Sequence, residues 1–210
     1  MMKRLSWLSA VCAGVLCLAA WCGAVEFSAE MVTKVGGKTT TTKLFRKGEQ
    51  KRTEFTAGPI GRIIIIRPNN RVEWMLTPST KTYSEIVIDP KMSQGWWMPK
   101  NAAELSKSAV KKSLGAETIN GFVCDKFELT YKDKAMGISI EWVARDLEWP
   151  IRSESRSADG TKVTEAKNIK VGPQPARLFE IPKGYTKTPT EPETPEETKT
   201  PPEGTPPEPK

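Results

Sequence analysis

Chemistry at a protein site needs nucleophiles, proton carriers or metal ligands, and this sequence offers few of them. It has no histidine, and three of its four cysteines (Cys12, Cys17, Cys22) fall in one apolar N-terminal segment, leaving Cys124 alone in the rest of the chain. A Cys/His metal site, an intramolecular disulfide and every His-dependent triad or general base are thereby excluded, so neither a metal nor a cofactor is expected. Glu141 with Asp146 or Glu148 is the carboxylate pair that glycosidic chemistry would use. The first falls mid-strand and the others in a turn, and nothing in their spacing sets the separation such chemistry requires. The chain therefore reads as non-enzymatic. Cys124, in an alternating stretch, reads as a small buried hydrophobe rather than a reactive thiol.

The residues suited to binding are more numerous. Gln94-Gly95-Trp96-Trp97-Met98, with Met92 before it, is the most apolar irregular stretch of the chain. Trp is amphipathic and Met adaptable, so this loop either lines the mouth of a cavity and touches an acyl chain or folds inward to fill the open side. Lys34, Lys38, Lys43, Arg46, Lys47, Lys51 and Arg52 crowd the first three strands. They form either a patch for lipid phosphates or another anionic envelope polymer, or a solvated sheet face whose lysines discourage edge pairing. Nucleic acid is not expected as a partner, because no stacking-aromatic motif accompanies the charge.

These residues must be held by elements, and the ends of the chain are the first to be set apart. Residues 1–24 carry Lys3 and Arg4, an apolar run from Leu5 to Cys22 and a small-residue exit at Cys22-Gly23-Ala24, the pattern of a secretory signal peptide cleaved after Ala24. Acylation at Cys22 is the alternative, but Trp21 stands where a small residue should precede the cysteine. Residues 186–210 contain eight Pro and six Glu and no large apolar side chain, which predicts a disordered, extended tail. The intervening residues 25–185 are long enough for one domain with a sizeable core and carry a net charge of +8 against −3 for the tail.

Within 25–185 the pattern is that of strands: short runs rich in β-branched and aromatic residues, separated by turn residues about every ten positions. Strands are predicted over 27–35, 39–46, 51–56, 60–67, 72–76 and 83–88, with Gly36-Gly37 as a hairpin turn and short connections that imply an antiparallel meander. Ile63-Ile64-Ile65-Ile66 fits a strand covered on both faces. Residues 102–114 predict an amphipathic helix, with Asn101 as N-cap and Glu104 as its capping-box partner, which would cover the sheet. Further strands are predicted over 122–131, 137–145, 149–157 and 162–171, then a turn at 176–179. About ten antiparallel strands on one helix make a mainly β (α+β) fold, a strongly curved antiparallel sheet forming a half-open β-barrel.

The ordered segments Lys51-Arg52-Thr53-Glu54-Phe55, Ile63 to Ile66, Val72-Glu73-Trp74-Met75-Leu76-Thr77-Pro78, Gly121-Phe122-Val123-Cys124-Asp125-Lys126-Phe127, Trp142-Val143-Ala144-Arg145, Trp149-Pro150-Ile151-Arg152 and Phe179-Glu180-Ile181-Pro182 resemble a secreted bacterial family of unknown function. That family is similar to the LolA/LolB-like group of outer-membrane lipoprotein-sorting proteins. The resemblance covers almost all of residues 25–185. It implies a half-barrel whose apolar concavity holds lipid or lipoprotein acyl chains, in an exported, periplasmic protein with envelope or membrane proteins as further partners. No catalytic residue comes with it. The cavity candidates are Phe27, Met31, Phe55, Ile64, Ile66, Trp74, Trp96, Trp97, Ile140 and Trp142. The alternative is a structural or sensing scaffold of the envelope with the same fold and a packed interior.

Overall fold

Alternating β-branched and polar residues fold as the period-two pattern requires: every strand but the last pairs with a strand next to it in the chain, and the side chains divide between two faces. The computed structural model describes residues 25–55, 61–88, 102–158 and 160–188; residues 1–24, Trp96 and Trp97 with their neighbours, and residues 189–210 lie outside it. The strands are β1 (Phe27–Val35), β2 (Lys38–Lys47), β3 (Gln50–Phe55), β4 (Arg62–Arg67), β5 (Val72–Thr77), β6 (Thr82–Val87), β7 (Ala109–Ile119), β8 (Phe122–Tyr131), β9 (Ile138–Ala144), β10 (Trp149–Ser157), β11 (Gly160–Val171) and β12 (Thr186–Lys187). One helix, α1 (Ala102–Ser108), precedes β7.

All twelve strands join one sheet in the order β12-β6-β5-β4-β3-β2-β1-β11-β10-β9-β8-β7. Two antiparallel meanders, β1 to β6 and β7 to β11, are joined by the β1–β11 ladder. Only β12 runs parallel to its neighbour, β6. The sheet does not close, and β12 and β7 are its two edges. Gly36 and Gly37, at φ of 52° and 76°, make the β1–β2 turn that needs positive φ at both central residues.

The expectation of a main covering helix is corrected. The helix ends at Ser108, and residues 109–119 form β7, paired along its length with β8. The same run, Ala109-Val110-Lys111-Lys112-Ser113-Leu114, satisfies a helical stripe on paper. Its backbone instead gains a ladder against β8, and Gly115, at φ 92°, sits in the bulge where the register slips. Coverage of the sheet by helix is therefore slight.

The cover comes instead from an irregular strap, residues 172–188, which leaves β11 beside β1 and ends as β12 beyond β6. It crosses through a 3-10 turn, Ala176–Phe179. Its anchors are the Gln174 N–H on Glu26 Oε2 (2.6 Å), Lys47 Nζ on the Gln174 carbonyl (3.1 Å) and Arg52 Nη1 on the Leu178 carbonyl (2.9 Å). Phe179 is buried against Ile65 and Leu76, with Phe45, Ile63, Trp74, Tyr83, Leu178 and Tyr185 around them. Thr186 and Lys187, the first residues of the segment read as tail, pair with Thr82 and Tyr83.

A second cluster lies on the opposite face: Phe27, Ala29 and Leu44 pack with Trp142, Ala144, Leu147, Ile151 and Ala166. Its composition shows how strongly the sheet bends. Trp149 on β10 and Lys51 on β3 are four strand positions apart, about 19 Å in a flat sheet. Yet Lys51 Nζ lies 5.8 Å from the Trp149 ring centroid. The face carrying Phe27 and Lys51 is thus the concave one, and the strap lies on the convex one.

Candidate functional site on the concave face

Register decides which side chains look into the concavity, because directly paired residues of an antiparallel ladder share a face. Three cross-strand rows result. Met31, Thr42 and Phe55 form the first, ending at Arg62; Ala29, Leu44, Thr53, Ile64, Met75 and Ser84 form the second; Phe27, Arg46, Lys51, Ile66, Glu73 and Ile86 form the third. The first two rows are apolar apart from their threonines and ends. Met31, Phe55, Ile64 and Met75 in them are only half-buried, whereas Phe27, Leu44 and Ile66 are buried.

The third row carries the charge. Arg46 stands directly opposite Lys51, and both lie over the Trp149 ring, Arg46 Cζ at 5.4 Å and Lys51 Nζ at 5.8 Å from its centroid. Phe27 meets the same ring edge-on at 6.2 Å. Burial lowers the Lys51 ammonium to about 8, opposed by the nearby Glu73 carboxylate, and Glu73 is itself raised by burial. Burial also lowers the Arg46 guanidinium, against the pull of Glu148 and Glu49. Arg46 gives Nε to the Gly48 carbonyl (3.0 Å) and Nη1 to the Leu147 carbonyl (2.7 Å), tying β2 to the turn before β10. The Trp149 Nε1–H is buried and finds no acceptor among the described residues.

Residues 26–149 match the family described as a domain of unknown function, DUF4412. The chain belongs to this family. No curated protein matches the DUF4412 chain in sequence. Among solved structures it is similar to an uncharacterized conserved protein from Thermus thermophilus, at 11% identity over 79% of this chain and 90% of that one, with a TM-score of 0.55. It is also similar to MucB, at 15% identity over 72% of this chain, with a TM-score of 0.52. A complex of MucA and MucB from Pseudomonas aeruginosa matches with the same score at 14% identity. The DUF4412 chain spans about half, 55%, of the MucB chain's length. These likenesses are ones of fold. As the order of segments led us to expect, the family is one of unknown function.

The DUF4412 fold brings five of the candidate residues onto one surface: Phe27, Met31, Phe55, Ile64 and Ile66 all face the concavity. Trp74 does not. It pairs with Ile65, on the convex face, where it joins the strap cluster, donates Nε1 to Glu85 Oε2 (2.9 Å) and lies under Arg67. The cause is parity: in the run Ile63 to Ile66 alternate residues point opposite ways, and Trp74 follows Ile65 rather than Ile64. Ile140 and Trp142 share a face of β9 and join the Phe27 cluster. Trp142 is 5% exposed, held by Nε1 on Glu117 Oε2 (2.8 Å) and flanked by Lys126 and Arg152. Trp96 and Trp97 lie outside the described residues.

The basic residues of the first strands are divided in the same way. Arg46 and Lys51 look into the concavity, while Lys43, Lys47 and Arg52 face the strap side, Arg52 bonded to Glu54 (2.7 Å). Trp149 and Leu147, which complete the concave site, were not among the candidates. Their only sequence signal is a Trp-Pro strand start after a turn, and nothing local links them to Arg46 a hundred residues earlier. Cys124 is fully buried, and burial raises its thiol, an environment that disfavours the thiolate. Burial likewise raises the Glu141 carboxyl in mid-β9, while Asp146 and Glu148 are exposed in the turn after it.

Proposed function

We propose that this DUF4412 protein is a non-enzymatic, exported envelope protein that binds an apolar or amphipathic ligand, such as a lipid or lipoprotein acyl chain, on the concave face of its half-open sheet. The observation that carries the reading is the surface made by Met31, Phe55 and Ile64. These large apolar side chains converge on the inner face of a bent sheet and remain half-exposed there, which suits a hydrocarbon chain laid along them. The signal-peptide pattern of residues 1–24 supports export to the periplasm. A place in outer-membrane lipoprotein sorting rests on the resemblance of the motifs alone.

The test is native mass spectrometry with lipid extraction on residues 25–210 purified from an envelope fraction. A co-purifying amphiphile that is lost in Ile64→Glu and Phe55→Glu, with both variants still folded by circular dichroism, is the expected result. A clean apo mass that persists after incubation with envelope lipids overturns the reading.

One observation favours a second function. Phe27, Ala29 and Leu44 are packed against Trp142, Leu147 and Ile151, so the floor of the concavity at β1 and β2 is filled by side chains. With that packing the protein serves as a scaffold or sensor that holds a protein partner in the envelope, as MucB holds MucA in their complex. Affinity capture of one stoichiometric envelope protein, together with the clean apo mass, distinguishes this case.

A further inference from the structure

The two edges of the sheet differ in what they leave open. β12 is two residues long, whereas β7 runs over eleven, and residues 110–118 are all exposed, Val110 by 62% and Leu114 by 38%. Among the described residues only β8 pairs with β7, so the outer row of β7 backbone groups is a template for a further strand. The β7–β8 hairpin sets which groups point outward. Asn120 and Gly121, at φ of 51° and 82°, form its two-residue turn, so Ile119 and Phe122 exchange hydrogen bonds and Glu117, two residues back, also bonds toward β8. At the other end the Lys132 N–H donates to the Ser108 carbonyl (2.9 Å), so Val110 and Lys112 bond inward as well. Lys111, Ser113, Ala116 and Thr118 therefore turn their N–H and C=O groups outward. The side chains divide the same way. Val110, Lys112, Glu117 and Ile119 pair with Thr130, Glu128, Cys124 and Phe122 and share one face of the sheet, while Lys111, Ser113, Ala116 and Thr118 share the other. The bulge at Gly115 makes the exchange, so even positions before it and odd positions after it lie together.

An antiparallel partner must set outward residues opposite outward residues, and side chains of one face opposite each other. Two copies of β7 meet this condition where an even position before the bulge faces an odd one after it. Two such registers overlap almost the whole strand, over 110–119 or over 109–118. In the first, centred between Leu114 and Gly115, Lys112 stands opposite Glu117 of the second copy, and Val110 opposite its Ile119. Lys111 and Ser113 then meet its Thr118 and Ala116, and the two bulges lie opposite each other, so neither ladder is thrown out of step. The second register sets Glu117 against Val110 and Lys112 against Gly115, which leaves both charges without an opposite one. We propose that β7 pairs antiparallel with β7 of a second copy of this chain, about a two-fold axis between Leu114 and Gly115, with Lys112 opposite Glu117 of the second copy. The axis repeats that ion pair at both ends of the contact. Lysines on an edge ordinarily discourage pairing, but this register answers each Lys112 with a carboxylate. Glu117 is ionised for the purpose, because hydrogen bonds from Trp142 and Lys126 hold its carboxyl below the usual range. The contact joins two twelve-stranded sheets into one and stands independently of what the concave face binds.

The experiment is analytical ultracentrifugation of residues 25–210 from about 1 to about 300 µM. The parent is expected to dimerise within that range, and more weakly as salt rises. Lys112→Glu and Glu117→Lys each set like charges opposite each other and should weaken the dimer about tenfold or more. An equimolar mixture of the two variants restores opposite charges at both ends and should dimerise like the parent. A zero-length carbodiimide applied to a mixture of light and isotope-labelled parent chains should join Lys112 of one chain to Glu117 of the other. Because Glu117 also holds Trp142, the exposed Lys112→Glu variant and the cross-link carry the test if Glu117→Lys fails to fold. A parent that stays monomeric throughout overturns the pairing. So does a dimer that Lys112→Glu leaves unchanged, or one without the Lys112–Glu117 link, since its contact then lies elsewhere. Capture of one envelope protein by a monomeric parent, lost in Ser113→Pro, overturns self-pairing in favour of a foreign strand on the same edge.

Discussion

Arg46 and Lys51 face each other across the β2–β3 ladder and share the ring of Trp149, a residue that the sheet order places four strands from Lys51. One side chain thus reports both the curvature of the sheet and the electrostatic character of its inner face. Five positions later than Arg46 in sequence, Lys51 is brought opposite it by the tight β2–β3 turn at Gly48 and Glu49.

The Lys51 environment has a pH signature. Its folded-state value of about 8 lies below the ordinary 10.5, so between these pH values the unfolded chain binds more protons than the folded one. Stability therefore rises with pH through that window, and below about pH 8 the folded protein bears the full cost of the buried cation. That cost is on the order of 3 kcal/mol. Lys51→Met should be the more stable protein at about pH 7, and its advantage should shrink toward pH 10.5. Urea unfolding of both proteins at several pH values checks this, and a constant difference across the window would contradict the placement of Lys51.

Glu141 carries the opposite slope. Burial raises its carboxyl above the usual range, with Lys111 acting the other way, so the folded state holds the proton to a higher pH than the unfolded chain. Stability falls as pH rises through the interval from the unfolded to the folded value. Glu141→Gln should be more stable than the parent at about pH 7 and lose that advantage below about pH 4. Thermal melts from about pH 3.5 to about pH 7.5 span the window and provide the measurement.

The strap is held by one large anchor. Phe179 is 1% exposed between Ile65 and Leu76, and its truncation leaves a cavity that the sheet behind it cannot fill. Phe179→Ala should cost about 3–5 kcal/mol. Hydrogen exchange should quicken at the Thr186 and Thr188 amides, which donate to the Lys81 and Tyr83 carbonyls. If exchange there stays at the parental rate, the strap does not depend on this anchor.

Two glycines at positive φ separate backbone strain from collision. A Cβ at Gly137 (φ 63°) runs into the carbonyl oxygen of Arg156 on β10, backbone that cannot move without breaking the sheet. One at Gly115 (φ 92°) meets nothing within 4 Å. Gly115→Ala should cost about 1–2 kcal/mol for its backbone conformation alone, and Gly137→Ala distinctly more. Urea midpoints of the two variants, at equal m-values, make the comparison.

Much of the scaffold was legible because its signals are local. Period-two alternation placed β1, β8 and β10 to the residue, and Gly36-Gly37 marked a turn whose positive φ values only glycine meets freely. The concave surface was legible in part: apolarity singled out Phe27, Met31, Phe55, Ile64 and Ile66, which share the concave face, but it singled out Trp74 as well, which the β4–β5 register turns to the convex one. The run 109–114 was misread as helix because so short a stretch satisfies an apolar stripe at either period. The choice fell to the free edge of β8, which lies outside the window.

What the sequence determined by itself was composition and local geometry: a chain without histidine, with strands joined in short antiparallel meanders and a basic domain between distinctive ends. What only the tertiary structure decided was which face of each strand is inside. In Ile63 to Ile66 all four side chains are equally apolar, so Ile64 and Ile66 look into the concavity, and Ile65 under the strap, solely because of the ladders with β3 and β5. Trp149 meets Arg46 and Lys51 because β11 pairs with β1 and bends the second meander over the first. That long-range pairing depends on the folded whole, and no stretch of neighbouring residues encodes it.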